Sequence, residues 1–296
     1  MSFASLGLID PIVQTLASLD YSTPTAVQQQ AIPVILSGKD VMAAAQTGTG
    51  KTAGFALPIL QRLFKRDKPV GSNAVRALVL VPTRELAEQV HESFRSYGAG
   101  LNLRTMVAYG GVSINPQMMN LRKGVDVLVA TPGRLLDLHR QNAVKFTEVS
   151  TLVLDEADRM LDLGFSKELD QVFAALPKKR QTLLFSATFS DQIRAMANRL
   201  LREPVRIEAS PRNTTVAKVT QWLVPVDKKR KPELFLHLLK KHDWTQVLAF
   251  AKTRKGVDKL VGLLDAKRIP ADAIHGDKPQ PALQRAASTS TTCRWW

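Results

Sequence analysis

The chain is 296 residues long, enough for two domains with cores of their own. Its hydrophobic share of 45% and charged share of 23% exclude a disordered or fibrous protein, and it has no run of about 18 apolar residues to cross a membrane. Lys and Arg number 41 against 26 Asp and Glu, a formal charge of +15 that favours a polyanionic partner without indicating a sequence to be read. Cys293 is the only cysteine, which excludes an intrachain disulfide and a cysteine metal cluster, and the five His show no H-E-x-x-H pattern. The N-terminus lacks the basic start and apolar stretch of a signal peptide, and Asp10-Pro11 interrupts it early. A soluble, cytoplasmic protein is the expectation.

In chain order, the first candidate segment is Phe3 followed by Tyr21-Ser-Thr-Pro-Thr-Ala-Val-Gln28. A Gln amide can pair with the N6 and N7 edge of adenine, and an aromatic face can cover the base. Read on their own, Phe3 and Tyr21 fit a core equally well, and Gln28-Gln-Gln30 fits a solvated helix face. An apolar strand at 41–45 then runs into Ala45-Gln46-Thr47-Gly48-Thr49-Gly50-Lys51-Thr52. Glycines free backbone N–H groups to point at phosphate, Lys51 can reach the terminal phosphates, and the Thr52 hydroxyl can ligate Mg²⁺. The strict loop pattern has Gly where Ala45 stands.

Strands predicted at 77–81, 104–108 and 125–130 each precede a polar turn: Pro82-Thr83-Arg84-Glu-Leu86, Gly110-Gly111 and Thr131-Pro132-Gly133-Arg134. Loops at the carboxyl ends of parallel strands are where an open α/β sheet binds ligands. Their hydroxyls, amides and guanidinium groups suit sugar–phosphate contacts that ignore base identity, though the spacing alone is that of ordinary turns. The strand at 151–154 delivers Asp155-Glu156-Ala157-Asp158, in which one carboxylate can hold a metal and another handle a water proton. The strand at 182–186 ends in Ser186-Ala187-Thr188, whose hydroxyls can bond the Asp155 and Asp158 carboxylates or cap the next helix. A last strand is expected at 205–208, and helices at 85–97 and 191–201.

The Ala form of the phosphate loop followed by D-E-A-D resembles the DEAD-box family of ATP-dependent RNA helicases, in its bacterial RhlE-like form, through most of the first 255 residues. Asp20 stands where that family usually has Gly. The resemblance implies ATP and Mg²⁺ as cofactors: adenine at Phe3, Tyr21 and Gln28, phosphates over Ala45, Gln46, Thr47, Gly48, Thr49, Gly50, Lys51 and Thr52, and the metal shared by Thr52 and Asp155. Catalysis would rest on Glu156, Asp155 and Lys51, with Glu156 deprotonating the attacking water. RNA would lie along Pro82, Thr83, Arg84, Gly110, Gly111, Thr131, Pro132, Gly133 and Arg134. Asp158, Ser186, Ala187 and Thr188 would couple the ATP state to the RNA. The implied fold is α/β, a RecA-like P-loop parallel sheet flanked by helices over 1–209, followed by an incomplete second RecA-like domain.

That second part is expected as a linker at 210–218, then a partial domain at 219–286 with strands at 219–224 and 246–250 and a helix at 231–241. Ala251-Lys-Thr-Arg254 resembles the first motif of the family's second domain, and Ala271-Asp-Ala-Ile-His-Gly-Asp277 the strand and turn before its Gln/Arg segment, where Gln280 matches and Leu283 replaces Arg. The A-T-D and H-R-x-G-R strings that would follow are absent, and 287–296 has no apolar period. The expectation is a truncated or frame-shifted chain with an aberrant tail, an exposed second unit, and nucleotide binding that outlasts RNA-stimulated hydrolysis. The competing readings are a genuine short form, an ATP- and RNA-binding module without useful turnover, and another P-loop enzyme. For the last, a transporter ATPase or a DNA translocase, the transporter string L-S-G-G-Q does not occur, while composition leaves a DNA-acting relative open and the D-E-A-D spelling and the Gln28 segment favour RNA.

Overall fold

The computed structural model describes residues 2–45, 48–65, 69–208, 220, 222–242, 244 and 246–278. The chain forms two units that divide between residues 214 and 215. In the first, short apolar runs become seven strands: β1 (Val41–Ala44), β2 (Val75–Leu80), β3 (Thr105–Ala108), β4 (Val125–Ala130), β5 (Thr151–Leu154), β6 (Gln181–Ser186) and β7 (Val205–Glu208). All pair in parallel, in the order β3-β4-β2-β5-β6-β1-β7. The predicted strands correspond to these to within two residues at either end.

Side chains alternate across a strand, and here both directions lead into a core. Along β2, Ala77 and Val79 join one apolar cluster while Leu78 and Leu80 join the other. The first cluster is closed by α1 (Asp10–Ser18), α2 (Ala26–Leu36), α3 (Lys51–Phe64) and α4 (Arg84–Tyr97), through Ile12, Ile32, Phe55 and Phe94. The second is closed by α6 (Pro132–Arg140), α7 (Ala157–Asp162), α8 (Ser166–Ala175) and α9 (Asp191–Leu200), through Leu135, Met160, Leu169 and Ile193. A short α5 (Asn115–Leu121) links β3 to β4. Covering both faces explains why β2, β4, β5 and β6 are buried along their whole length.

Buried polar groups pin the edge of this sheet away from the motif loops. Asp126 pairs with Arg76 at 3.1 Å and accepts the Arg104 amide at 2.9 Å. Asp40 accepts the amides of Thr182 and Arg202, both at 2.8 Å. Such groups stay inside only when hydrogen-bonded, so they fix where strands and connections meet.

The second unit contains α10 (Lys231–His242) and α11 (Arg254–Ala266). The strands expected at 219–224 and 246–250 are not formed among the described residues; Leu223 and Phe250 stand 92% and 90% exposed. A lone strand leaves its amides and carbonyls unbonded and gains nothing until neighbours fill the ladder, whereas a helix closes its bonds within itself. The expected linker at 210–218 and the tail at 287–296 lie outside the described residues. Among those described, no helix is long and apolar enough to cross a membrane.

Candidate nucleotide and nucleic-acid site

Because all seven strands are parallel, the loops leaving their carboxyl ends gather on one edge of the sheet, and the strand order sorts them. β3, β4 and β2 are adjacent and carry the 110–111, 131–134 and 82–84 loops. β5, β6 and β1 are adjacent and carry 155–158, 186–188 and the glycine-rich loop.

In the second group, Ala45 donates its amide to the Ser186 carbonyl at 3.1 Å, tying the glycine-rich loop to the end of β6. Gln46 and Thr47 lie outside the described residues. Gly48 and Gly50 hold φ of 84° and 83°, a left-handed backbone that side chains resist. Gly50 caps α3, so Lys51 and Thr52 are its first two residues. Lys51 Nζ lies 3.4 Å from Asp155 Oδ1, both side chains are buried, and among the described residues neither atom has a hydrogen-bond partner. A pair desolvated this far gains little from mutual attraction alone. The pair is of a kind that could receive a polyphosphate with a divalent cation: Lys51 could meet phosphate oxygens, and Asp155 and Thr52 are the residues that could offer hard oxygens to the metal. Among the described residues no three His, Cys, Asp or Glu cluster as a metal site, so ligand oxygens and water would complete the coordination.

Asp155 is fixed by its amide, which donates to the Leu80 carbonyl at 3.0 Å. Burial pushes its carboxyl above the ordinary range, opposed by Lys51. Glu156 is raised for the same reason, also against Lys51, and sits in the left-handed region at φ 54° and ψ 51°. A non-glycine residue held there costs about 1–3 kcal/mol, borne because β5 ends and α7 begins on either side of it. Asp158 Oδ2 accepts both the Thr188 amide and the Thr188 hydroxyl at 2.9 Å. The motif hydroxyl that reaches this carboxylate is therefore that of Thr188. Ser186 instead donates to the Thr188 carbonyl at 2.7 Å, being fully buried inside the turn, and Ala187 is exposed between them.

Gln28 is buried, and its amide is already engaged: Oε1 accepts the Thr25 amide at 2.9 Å and Nε2 donates to the Gly50 carbonyl at 3.0 Å. Thr25 adds a hydroxyl bond to the Thr49 carbonyl at 2.8 Å. Thr25 and Gln28 are a capping box at the start of α2 that also clamps the glycine-rich loop. The role of Thr25 was not anticipated, although the T-x-x-Q spacing carries that signal. Tyr21 is 41% exposed with its ring edge-on to Tyr97 at 5.8 Å. Phe3 is 3% exposed in the first core, so its ring is spent on packing and offers no open face.

In the first group, Thr83 caps α4 by accepting the Leu86 amide at 3.2 Å, which places Arg84 as the first helical residue after Pro82. The Arg84 guanidinium lies where a side chain on Gly111 would stand, and Gly111 has φ 80°. Arg134 donates from Nη2 to the Val112 carbonyl at 2.8 Å, while its buried Nε and Nη1 have no hydrogen-bond partner among the described residues. Thr131 stands just before α6, at its N-cap position, with no side-chain cap bond. Gly110 and Gly133 face open space. The geometry thus brings Arg84, Gly111, Val112 and Arg134 together, with donors to spare. A cavity of about 380 Å³ lies along β7, lined by residues such as Met42, Phe189, Arg194, Asn198 and Arg206.

Comparison with known proteins gives the family. A family model described as DEAD/DEAH box helicase matches residues 25–196. The chain is 37% identical over 279 residues to the DEAD-box ATP-dependent RNA helicase RhpA of Helicobacter pylori, covering 94% of this chain and 56% of that protein. It is equally similar to the DEAD-box ATP-dependent RNA helicase CshA of Bacillus cereus, covering 52% of it. The chain therefore spans about half the length of these curated relatives. Among solved structures, a DEAD box protein from the hyperthermophile Methanococcus jannaschii matches with TM-score 0.66 and 33% identity, covering 97% of this chain and 76% of that one. The parallel sheet, the motif loops gathered on its edge and these matches together place the chain in the DEAD/DEAH box helicase family.

Proposed function

We propose that the chain is an ATP-dependent RNA helicase component that binds ATP on the β5-β6-β1 side of the sheet edge and RNA on the β3-β4-β2 side. The observation that carries this is the sorting of motif loops by strand order, with β2 and β5 adjacent at the boundary. Mg²⁺, when bound, would neutralise charge on the phosphate oxygens. The buried Lys51 ammonium meets the terminal phosphates. Glu156, turned out of β5 by its left-handed backbone, orients the attacking water and accepts its proton. Asp158, bonded twice to Thr188, ties the acidic turn to the β6 loop, so a shift at the nucleotide moves the coupling segment with it. Arg84 and Arg134 grip the sugar–phosphate backbone, which makes recognition indifferent to sequence. ATP binding and hydrolysis coupled to local duplex opening is the function this reading assigns, within the cytoplasm.

The test is ATP binding and turnover with and without single-stranded RNA, beside Glu156→Gln. RNA-stimulated turnover that the Gln variant loses supports the full reading. Nucleotide and RNA binding without turnover would assign a binding module. Absence of nucleotide binding would sink both.

A further inference from the structure

The positive charge of the chain is unevenly placed. Residues 1–208 carry 24 Lys and Arg against 19 Asp and Glu, whereas 222–278 carry 13 against 7. The short second segment thus holds a larger excess than the whole first sheet. Within it, three side-chain rings collect outside any core. His242 stacks on Trp244 at 4.9 Å with ring planes 12° apart. Trp222 lies 6.1 Å from His242 and 6.3 Å from Trp244. Trp222 is 53% exposed and Trp244 39%.

Cations border the rings. Lys240 and Lys241 lie in the last turn of α10 directly before His242, while Lys228–Arg230 form a short 3-10 turn ahead of Lys231 at the other end of that helix. Exposed aromatic faces beside a basic strip are how proteins hold single-stranded nucleic acid, because every base offers a π-face and every nucleotide a phosphate. The Arg84, Gly111 and Arg134 cluster offers guanidinium groups, so the two surfaces would grip differently: one by the sugar–phosphate backbone, the other by base faces.

We propose that Trp222, His242 and Trp244 form a base-stacking platform for single-stranded nucleic acid, with Lys240 and Lys241 taking its phosphates. The platform stands on ring geometry and charge in the second unit, independently of the reading given to the sheet-edge loops.

The experiment uses the full chain carrying W295F and W296F, so that fluorescence reports on Trp222 and Trp244 alone. An oligouridylate of about ten nucleotides should quench that fluorescence saturably, and oligothymidylate should do the same, since ring faces do not sense the 2′-hydroxyl. A blunt duplex should quench little, its bases being stacked already. On the R84A/R134A background, where the sheet-edge site no longer holds the probe, replacing both tryptophans by Ala should weaken binding of a labelled oligouridylate about tenfold, and W222F/W244F should restore most of it. Unchanged circular dichroism in the Ala variant separates lost stacking from lost folding. R84A/R134A should leave the quenching in place, which distinguishes this platform from the sheet-edge site. Equal quenching by heparin, which has charge but no bases, would overturn the proposal. So would undiminished oligonucleotide affinity in W222A/W244A on the R84A/R134A background, or quenching that requires the 2′-hydroxyl.

Discussion

Two helices, one in each unit, begin alike. Thr83 caps α4 through the Leu86 amide at 3.2 Å, and Thr253 caps α11 through the Gly256 amide at 3.1 Å. Both threonines are extended and both are followed by Arg at the first helical position. The preceding segments differ completely. β2 is buried between β4 and β5, whereas 246–250 forms no strand and leaves Val247, Leu248 and Phe250 exposed. A cap is a bargain between residues three apart, so it works in either setting. A strand needs neighbours on both sides, and its apolar side chains need helices above and below.

Phenylalanine gives the widest test of that difference. Phe55 is fully buried, with ring centroids 5.2 Å from Phe185 and 6.1 Å from Phe94. Phe55→Ala should cost about 3–5 kcal/mol, whereas Phe250→Ala should change stability by less than about 0.5 kcal/mol. Urea unfolding of the full chain followed by far-ultraviolet circular dichroism decides it. A large loss at Phe250 would mean that this segment has neighbours after all.

The glycines beside the two arginines sharpen the contrast. A methyl on Gly111 would overlap the Arg84 guanidinium and sit at φ 80°, while one on Gly276 would meet Arg254 no closer than 3.4 Å. Gly111→Ala should therefore cost about 1–3 kcal/mol from backbone strain and displace Arg84, weakening RNA binding. Gly276→Ala should be tolerated. Similar effects at both positions, in melting and in RNA titration, would contradict the idea that only the first unit is tightly set.

The caps should respond equally. Thr83→Ala and Thr253→Ala should each cost their helix about 1 kcal/mol. The difference lies in how far the loss spreads. In α4 it should lower cooperative unfolding, because Ala87, Val90 and Phe94 bind the helix to the core. In α11, where Leu264 is the buried anchor, faster amide exchange should stay within the first turn. Exchange that spreads through the whole second unit would show a cooperative core there.

The same contrast explains what could be read from the sequence. All seven strands of the first unit are legible in the sequence; β2, β4, β5 and β6 stand out most as apolar runs, because burial on both faces leaves them no alternation. Their order is not legible: a parallel sheet is crossed by helices, and no local signal says that β5 lies beside β2. The phosphate loop and D-E-A-D declare their chemistry through residue type and spacing. Phe3 does not, since a core ring and a base-covering ring are the same residue. Nor does the engagement of Gln28 with the Gly50 carbonyl, a contact made only once α2 packs against the start of α3. In the second unit the helix signals hold and the strand signals fail, because apolar runs specify a strand only when a sheet exists to receive them.

The smallest effect lies at the end of β3, where the first unit fixes even a partly exposed side chain. Tyr109 donates its hydroxyl to Glu88 Oε1 at 2.5 Å, and its carbonyl accepts the Gln117 amide at 3.2 Å, just before Gly110 and Gly111. The bond to Glu88, then burial and the carboxylate's charge, push the phenol from 10.0 up to about 12. Because the folded value is the higher, the bond's stabilisation is complete below pH 10 and is lost as pH rises through about 12. Glu88→Gln keeps an acceptor but removes the charge, so the Tyr109 ring signals, followed by NMR across the alkaline range, should titrate at lower pH. Since α4 carries Glu88 as well as Arg84, the loosened contact should also let the 110–111 turn move, and RNA affinity should fall slightly. An unchanged titration would mean that burial, rather than the α4 carboxylate, holds this end of the strand.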